Sequence, residues 1–359
     1  MNTQNLVVGS RIEHPHYGPG TVTFVGTDHL GIHFDDAGEA LIRLDALYAS
    51  VPPPRTEAVY SPEIFPWPES TFLLEQKASR RGHGRHWAPF YDELGELYGR
   101  LPSMMAESLL QTGYGEHRPP PRPLPEHWPQ GYPLVWPVRT HGLAAIVRSE
   151  KPTSSLVSLF PFFATGSQHT LCLRQVRVWP GGLEAQITAD CTEGEVSFFD
   201  TQYLINRTWY EADRKYEFIL SGIALDAGPA QQIEFQVDRH PDQIAWMNQH
   251  LREGEAPHEI RTTVSLDGAA IFLPTPDGDI DEYQFRGQVK SVQHFSGWLE
   301  QDGWKVRATV MHNDDEDFDL DIVITRRAWT GDEAPQVDQD IDGVLWLQGY
   351  LWKADTSAR

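Results

Sequence analysis

With only two cysteines in 359 residues, Cys172 and Cys191, the chain has no disulfide framework to staple its fold. Both lie in apolar alternating segments, where a reduced thiol packs as a small hydrophobe, and that usage points to a cytoplasmic setting. No stretch approaches the roughly 18 apolar residues a spanning helix needs, and the polar start Met1-Asn2-Thr3-Gln4-Asn5 has no signal-peptide pattern, so no membrane association is expected. Positive charge is also scarce. Lys and Arg number 29 against 51 Asp and Glu, for a net charge of −22, and the summed field repels a phosphate backbone. Direct nucleic-acid binding is therefore disfavoured. The C-terminal third is the most acidic part: residues 231–359 carry 25 acidic and 11 basic side chains. Such a surface serves solubility first; less often it meets a basic protein patch or imitates nucleic acid, as an acidic inhibitor would.

Familiar catalytic signatures are missing as well. There is no GxSxG elbow, no phosphate-binding glycine loop, no HExxH and no paired CxxC. Nucleotide hydrolysis, dinucleotide-dependent redox chemistry and a cofactor requirement are not expected. Paired carboxylates assembled in space leave no local signature, so a hydrolase with a carboxylate site in the β region stays open.

What is present is β-pattern. Short apolar runs at Ser10–Glu13, Gly20–Phe24, Leu30–Phe34 and Ala40–Leu44, punctuated by glycines, predict a small barrel over residues 1–50, which Val51-Pro52-Pro53-Pro54 ends. Residues 51–164 are rich in proline and aromatics, as at Phe65-Pro66-Trp67-Pro68 and Arg118-Pro119-Pro120-Pro121-Arg122-Pro123, and read as an irregular coat. Within it, Phe90, Leu94, Leu97, Leu101, Met105 and Leu109 recur at helical steps, and Pro102 predicts two short helices rather than one. Strands return at Thr170–Trp179, Leu183–Asp190, Glu195–Phe199 and Tyr216–Leu225, and again at Tyr283–Phe295, Trp304–His312, Phe318–Thr325 and Gly343–Trp352. A helix is expected from Pro241 to Leu251 in a connector over residues 231–281.

The two C-terminal strand sets align. Gln175-Val176-Arg177 lies over Gln288-Val289-Lys290, Thr188 over Thr309, Glu195–Phe199 over the strand that begins at Phe318, and Leu220-Ser221-Gly222 over Leu347-Gln348-Gly349. Duplication and chance similarity between meanders both account for this. Under the first, residues 165–230 and 282–359 are two related barrels of OB type. The fold class expected is thus mainly β: an SH3-like small barrel, an irregular middle with short helices, and a C-terminal pair of OB-like barrels.

The run Gly9-Ser10-Arg11-Ile12-Glu13-His14-Pro15-His16-Tyr17-Gly18-Pro19-Gly20-Thr21-Val22, followed by Ile32-His33-Phe34-Asp35-Asp36-Ala37-Gly38, resembles the SH3-like or Tudor-like module of the CarD family and of UvrD-type helicase C termini. The resemblance covers residues 7–48. It implies a non-catalytic protein-binding or adaptor role, with RNA polymerase or a nucleic-acid-processing complex as partner. On that reading the contact residues are Tyr17, Asp28, His29 and Asp35.

Other polar clusters read as surface. His14, His16, His29 and His33 need a converging third ligand to hold zinc, and no metal is expected there. His83-Gly84-Arg85-His86, with Arg80 and Arg81, reads as a solvated basic loop able to meet a phosphate. The acidic runs at residues 277–282 and 314–319 lack the calcium-loop pattern and read as turns.

Overall fold

The computed structural model describes residues 7–14, 18–25, 29–35, 38–43, 82–113, 115, 124, 128–150, 153–179, 181–191, 194–211, 213–231, 234–238, 241–250, 261–276, 278–312 and 317–354. In chain order the first strands are β1 (Arg11–His14), β2 (Gly18–Val25), β3 (His29–Phe34) and β4 (Gly38–Arg43). A 3₁₀ turn (Gly82–Trp87) and helix α1 (Leu94–Ala106) precede β5 (Leu109–Leu110), β6 (Gly131–Pro137), β7 (His141–Glu150) and β8 (Thr153–Phe163). Next come β9 (Ser167–Val178), β10 (Ala185–Cys191), β11 (Gly194–Asp200), α2 (Tyr203–Asn206), β12 (Lys215–Pro229), β13 (Glu234–Asp238), α3 (Pro241–Gln249) and β14 (Arg261–Ser265). The last are β15 (Ile271–Pro274), β16 (Glu282–Trp298), β17 (Gln301–Met311), β18 (Phe318–Thr325) and β19 (Asp340–Ala354). The protein is mainly β, and among the described residues no helix is long and apolar enough to cross a membrane.

The chain divides into two compact units. Unit 1 joins residues 1–57 to residues 232–267. Its strands β1 to β4 form an antiparallel meander over a core of Ile12, Val22, Leu30, Ile32 and Phe34. Val22, Ile32 and Phe34 are buried, whereas Phe24 is only half-buried, because the register with β3 shifts between Val22 and Phe24. Residues 232–267, expected as a connector, belong to this unit: the Trp246 indole of α3 lies where a Cβ on Gly31 would stand, so glycine there admits the helix. The Val51–Pro54 boundary, Phe65–Pro68 and Arg118–Pro123 lie outside the described residues.

Unit 2 holds β5 to β12 and β15 to β19, whereas the β13–β14 pair belongs to unit 1. Nine strands pair in the order β15-β16-β17-β18-β12-β19-β11-β10-β9, and the further pairings β12–β9 and β16–β19 turn the order back on itself twice. One closed circuit runs β9-β10-β11-β19-β12, the other β16-β17-β18-β12-β19. Strands β12 and β19 belong to both, which is why residues 165–230 and 282–359, expected as separate modules, fall in one unit.

The internal repeat is reproduced pair by pair. Gln175 faces Thr188 in the first half as Gln288 faces Thr309 in the second. Thr188 Oγ1 meets Ser197 Oγ at 2.8 Å, and Thr309 Oγ1 donates to Asp319 Oδ1 at 2.8 Å from the matching position. The aligned triplets face each other across the shared pair, Leu220 to Gly349, Ser221 to Gln348 and Gly222 to Leu347, so a local two-fold passes between Ser221 and Gln348. Each circuit closes through a parallel pairing, β11 with β19 in one and β12 with β18 in the other.

Side chains alternate between the two faces of these strands with period two. Phe198, Ile322, Ile324, Leu345 and Leu347 enter one apolar cluster. Phe199, Val323 and Trp346 enter a second, shared with Phe90 and Leu97 and with Leu143, Ala145, Phe160 and Phe162 of the four-stranded sheet β5-β6-β7-β8. That sheet occupies much of the stretch expected to be irregular. Its prolines are tolerated because the carbonyl still accepts, as Pro133 does from the Gln111 N–H at 3.0 Å. Helix α1 likewise runs unbroken through Pro102, where two helices were expected; burial of Leu97 and Met104 outweighs the lost hydrogen bond.

Candidate functional site

The 3₁₀ turn sets the geometry of the site. Residues three apart eclipse in a 3₁₀ helix, so His83 and His86 project from the same side, and their Nδ1 atoms lie 3.1 Å apart. Each ring then reaches a glutamate with its other nitrogen. His83 Nε2 is 3.3 Å from Glu184 Oε1, and His86 Nε2 is 3.2 Å from Glu282 Oε1. All four side chains are buried, none more than 6% exposed. Arg85, half-exposed, donates to Glu282 Oε2 at 2.7 Å and brings one positive charge from outside.

The surrounding strands place these groups. A tight turn, with Gly182 N–H donating to Trp179 at 2.7 Å and Trp179 N–H to Glu184 at 2.8 Å, delivers Glu184 at the start of β10. Glu282 opens β16 directly opposite Trp346 of β19, which puts the two side chains on one face. His86 therefore stacks on Trp346, with centroids 3.8 Å apart, while bonding to Glu282. His83 stacks on Trp179 at 4.8 Å and meets Phe199 edge-on at 4.7 Å. Behind them, Trp346 Nε1 donates to Asp281 Oδ2 at 3.1 Å. Burial pushes the Asp281 carboxyl up to about 7, with the neighbouring Asp279 charge adding to it. Burial pushes His86 down to about 4, against the opposing hydrogen bond to Glu282.

The Glu184 and His83 end of this chain opens on a cavity of about 470 Å³. Trp87, Leu94, Leu97, Leu159 and Trp179 form apolar walls, and the exposed side chains of Tyr98 and Leu156 stand at its mouth. A polar, titratable floor under apolar walls is the make-up of a small-molecule site. The four groups form a line rather than a ring, and among the described residues no three His, Cys, Asp or Glu side chains are grouped to hold a metal ion.

The sequence-derived contact residues belong to unit 1. Tyr17 and Asp28 are outside the described residues, as are His16, Arg80 and Arg81. His29 opens β3. Asp35 is exposed and takes two hydrogen bonds from Arg11, at 2.5 and 2.7 Å. The segment His83–His86, expected as a solvated basic loop, is instead buried at both histidines and paired with carboxylates. The His-x-x-His spacing was visible, but its partners stand 101 and 196 residues away. Nothing local marks which of many glutamates converge. Compared with protein-family models, curated proteins and solved structures, the chain matches none.

Proposed function

We propose that unit 2 is a hydrolase acting on small, uncharged, partly apolar esters or amides, with Glu184 and His83 as its acid–base pair. What carries this reading is the contact between a buried carboxylate and a buried imidazole at the floor of a cavity large enough for such a substrate. The pair supplies a proton to the leaving atom and takes one from the attacking water. The water oxygen bonds to the carbonyl carbon, the bond to the leaving atom breaks, and the pair ends with the protons it began with. Glu282, His86 and Trp346 hold His83 in place. The two strand circuits are proposed as OB-like barrels that exchange their closing strands, an arrangement supported by the parallel closing pairs and the repeated register.

The test is turnover of chromogenic carboxylic esters, amides, phosphate esters and glycosides. Hydrolysis of an ester or amide is expected, reduced about 100- to 10,000-fold in Glu184→Gln and His83→Gln. No hydrolysis above that of the two variants would remove the proposal.

Unit 1 supports a second reading, as an SH3-like or Tudor-like docking module. The described residues among those that carry the resemblance form a four-stranded meander around their own core. Tyr17, Asp28, His29 and Asp35 are its proposed contacts, and RNA polymerase or a nucleic-acid-processing complex its proposed partner. Affinity capture of the full chain with nuclease treatment should retain such subunits in stoichiometric amount; their absence would discard the docking role.

A further inference from the structure

Three contacts link Glu184, His83, His86 and Glu282, and each contact between two acceptors needs a proton of its own. Two neutral imidazoles supply two. Ionised glutamates only accept, so they draw each N–H to Nε2, leaving two Nδ1 lone pairs facing each other at 3.1 Å in a buried site. That arrangement repels. A third proton removes the conflict, and it also balances the charge: the carboxylates contribute two negative charges, Arg85 and the added proton two positive ones. Burying a neutral set costs far less than burying a charged one.

The position of the extra proton follows from what each end faces. His86 meets Trp346 and shares Glu282 with Arg85, which spends part of that carboxylate's attraction, and burial already holds its acid form down to a pKa of about 4. His83 faces Glu184, which has no Lys or Arg in ion pair among the described residues. Other ionisable groups nearby are Asp281, screened behind Trp346, Tyr98 of α1 at the cavity mouth, and Arg148 and Arg207, whose guanidinium groups donate to the Gly181 and Gly182 carbonyls of the turn before Glu184 rather than to its carboxylate.

We infer that at neutral pH this buried line carries one proton more than two neutral histidines hold, kept in the Glu184–His83 contact at the cavity floor, so that the site meets its substrate as an acid. This rests on the acid–base reading of the same cavity. Nδ1–H of His83 then donates to Nδ1 of His86, and Nε2–H of His86 to Glu282, so both inner links run away from the cavity, and Arg85 donates to Glu282 from the other side. Glu184 and His83 touch the substrate; His86, Glu282 and Arg85 are positioning residues.

The test is ring-nitrogen NMR of the full chain labelled with ¹⁵N-histidine, from pH 5 to pH 10. At pH 7 His83 is expected to show a protonated Nδ1 and His86 an unprotonated Nδ1 with a protonated Nε2. Both Nδ1 atoms bare at pH 7, or the proton on Nδ1 of His86, would overturn the inference. In His86→Leu, which removes the acceptor, His83 should hold its proton about tenfold more weakly, while His86→Gln, whose amide oxygen accepts, should restore it. Equal behaviour of the two variants would also overturn it. If the protons are placed as inferred but no ester or amide is cleaved, the hydrolase proposal alone fails.

Discussion

Trp346 joins the site to the core: its ring stacks on His86 and its indole N–H serves the buried Asp281. Trp346→Phe keeps a ring for stacking but removes the indole donor from that carboxylate, and should cost about 1–3 kcal/mol. Trp346→Ala should cost about 3–5 kcal/mol, because the side chain is fully buried. Urea unfolding distinguishes the two. Asp200 yields a pH prediction. Burial raises its carboxyl to about 7, against hydrogen bonds from Tyr210 and the Gln202 N–H. The folded chain therefore keeps a proton that the unfolded chain, titrating near ~4, has released. Its contribution to stability falls as pH climbs from about 4 to about 7. His86 acts in the opposite sense: with a folded pKa of about 4 against the ordinary 6.5, it lowers stability as pH falls between those values. Asp200→Asn removes only the first slope. Relative to the parent, its melting temperature should rise from pH 5 to pH 8, and a constant difference would show that Asp200 does not titrate as stated.

At the scale of elements, the repeat is symmetric in register but not in packing. Gly222 and Gly349 occupy matching places on β12 and β19. A Cβ on Gly349 would stand 2.6 Å from Leu220, 2.8 Å from Phe198 and 3.0 Å from the Ile219 carbonyl. One on Gly222 would meet only the Leu345 side chain at 3.0 and 3.4 Å, with Ile322 beyond at 3.5 Å. Gly349→Ala should therefore destabilise by about 2–3 kcal/mol and Gly222→Ala by less than about 1 kcal/mol, read from urea midpoints. The α1 helix and the 3₁₀ turn show packing overriding propensity. Pro102 and the glycines around His83 disfavour regular helix, yet Leu97, Met104, His83 and His86 each find a buried partner surface.

At the scale of the molecule, the shared strands make unit 2 one cooperative body. Neither circuit closes without both β12 and β19. A chain ending before Asp340 should lose the cooperative unfolding transition of unit 2 altogether, seen by circular dichroism in urea. Native-state hydrogen exchange of the whole chain should show β12 and β19 amides exchanging together, at the global free energy. Two separate transitions would contradict this coupling. The acidic C-terminal third is partly neutralised within the fold: Lys290 meets Asp317 and Asp319 at 3.2 and 2.7 Å, and Arg307 meets Asp321 at 2.8 Å.

Alternation located the strands of residues 165–230 and 282–359, but not β5 to β8 in the proline-rich stretch. Phe318–Thr325 matches its expected span, and the neighbouring strands differ from theirs by a few residues at the ends, because a two-residue period survives in a half-buried ladder whatever the tertiary context. The repeat was legible too, since matching positions carry matching residue types, as Thr188 and Thr309 do. Sequence did not reveal that the two halves share their closing strands, because a strand's own pattern is the same whichever neighbour it pairs with. Nor did it reveal the site. His83 and His86 look like exposed basic loop residues until Glu184 and Glu282 arrive from distant strands, and only the fold decides which charges lose their water and must share protons instead.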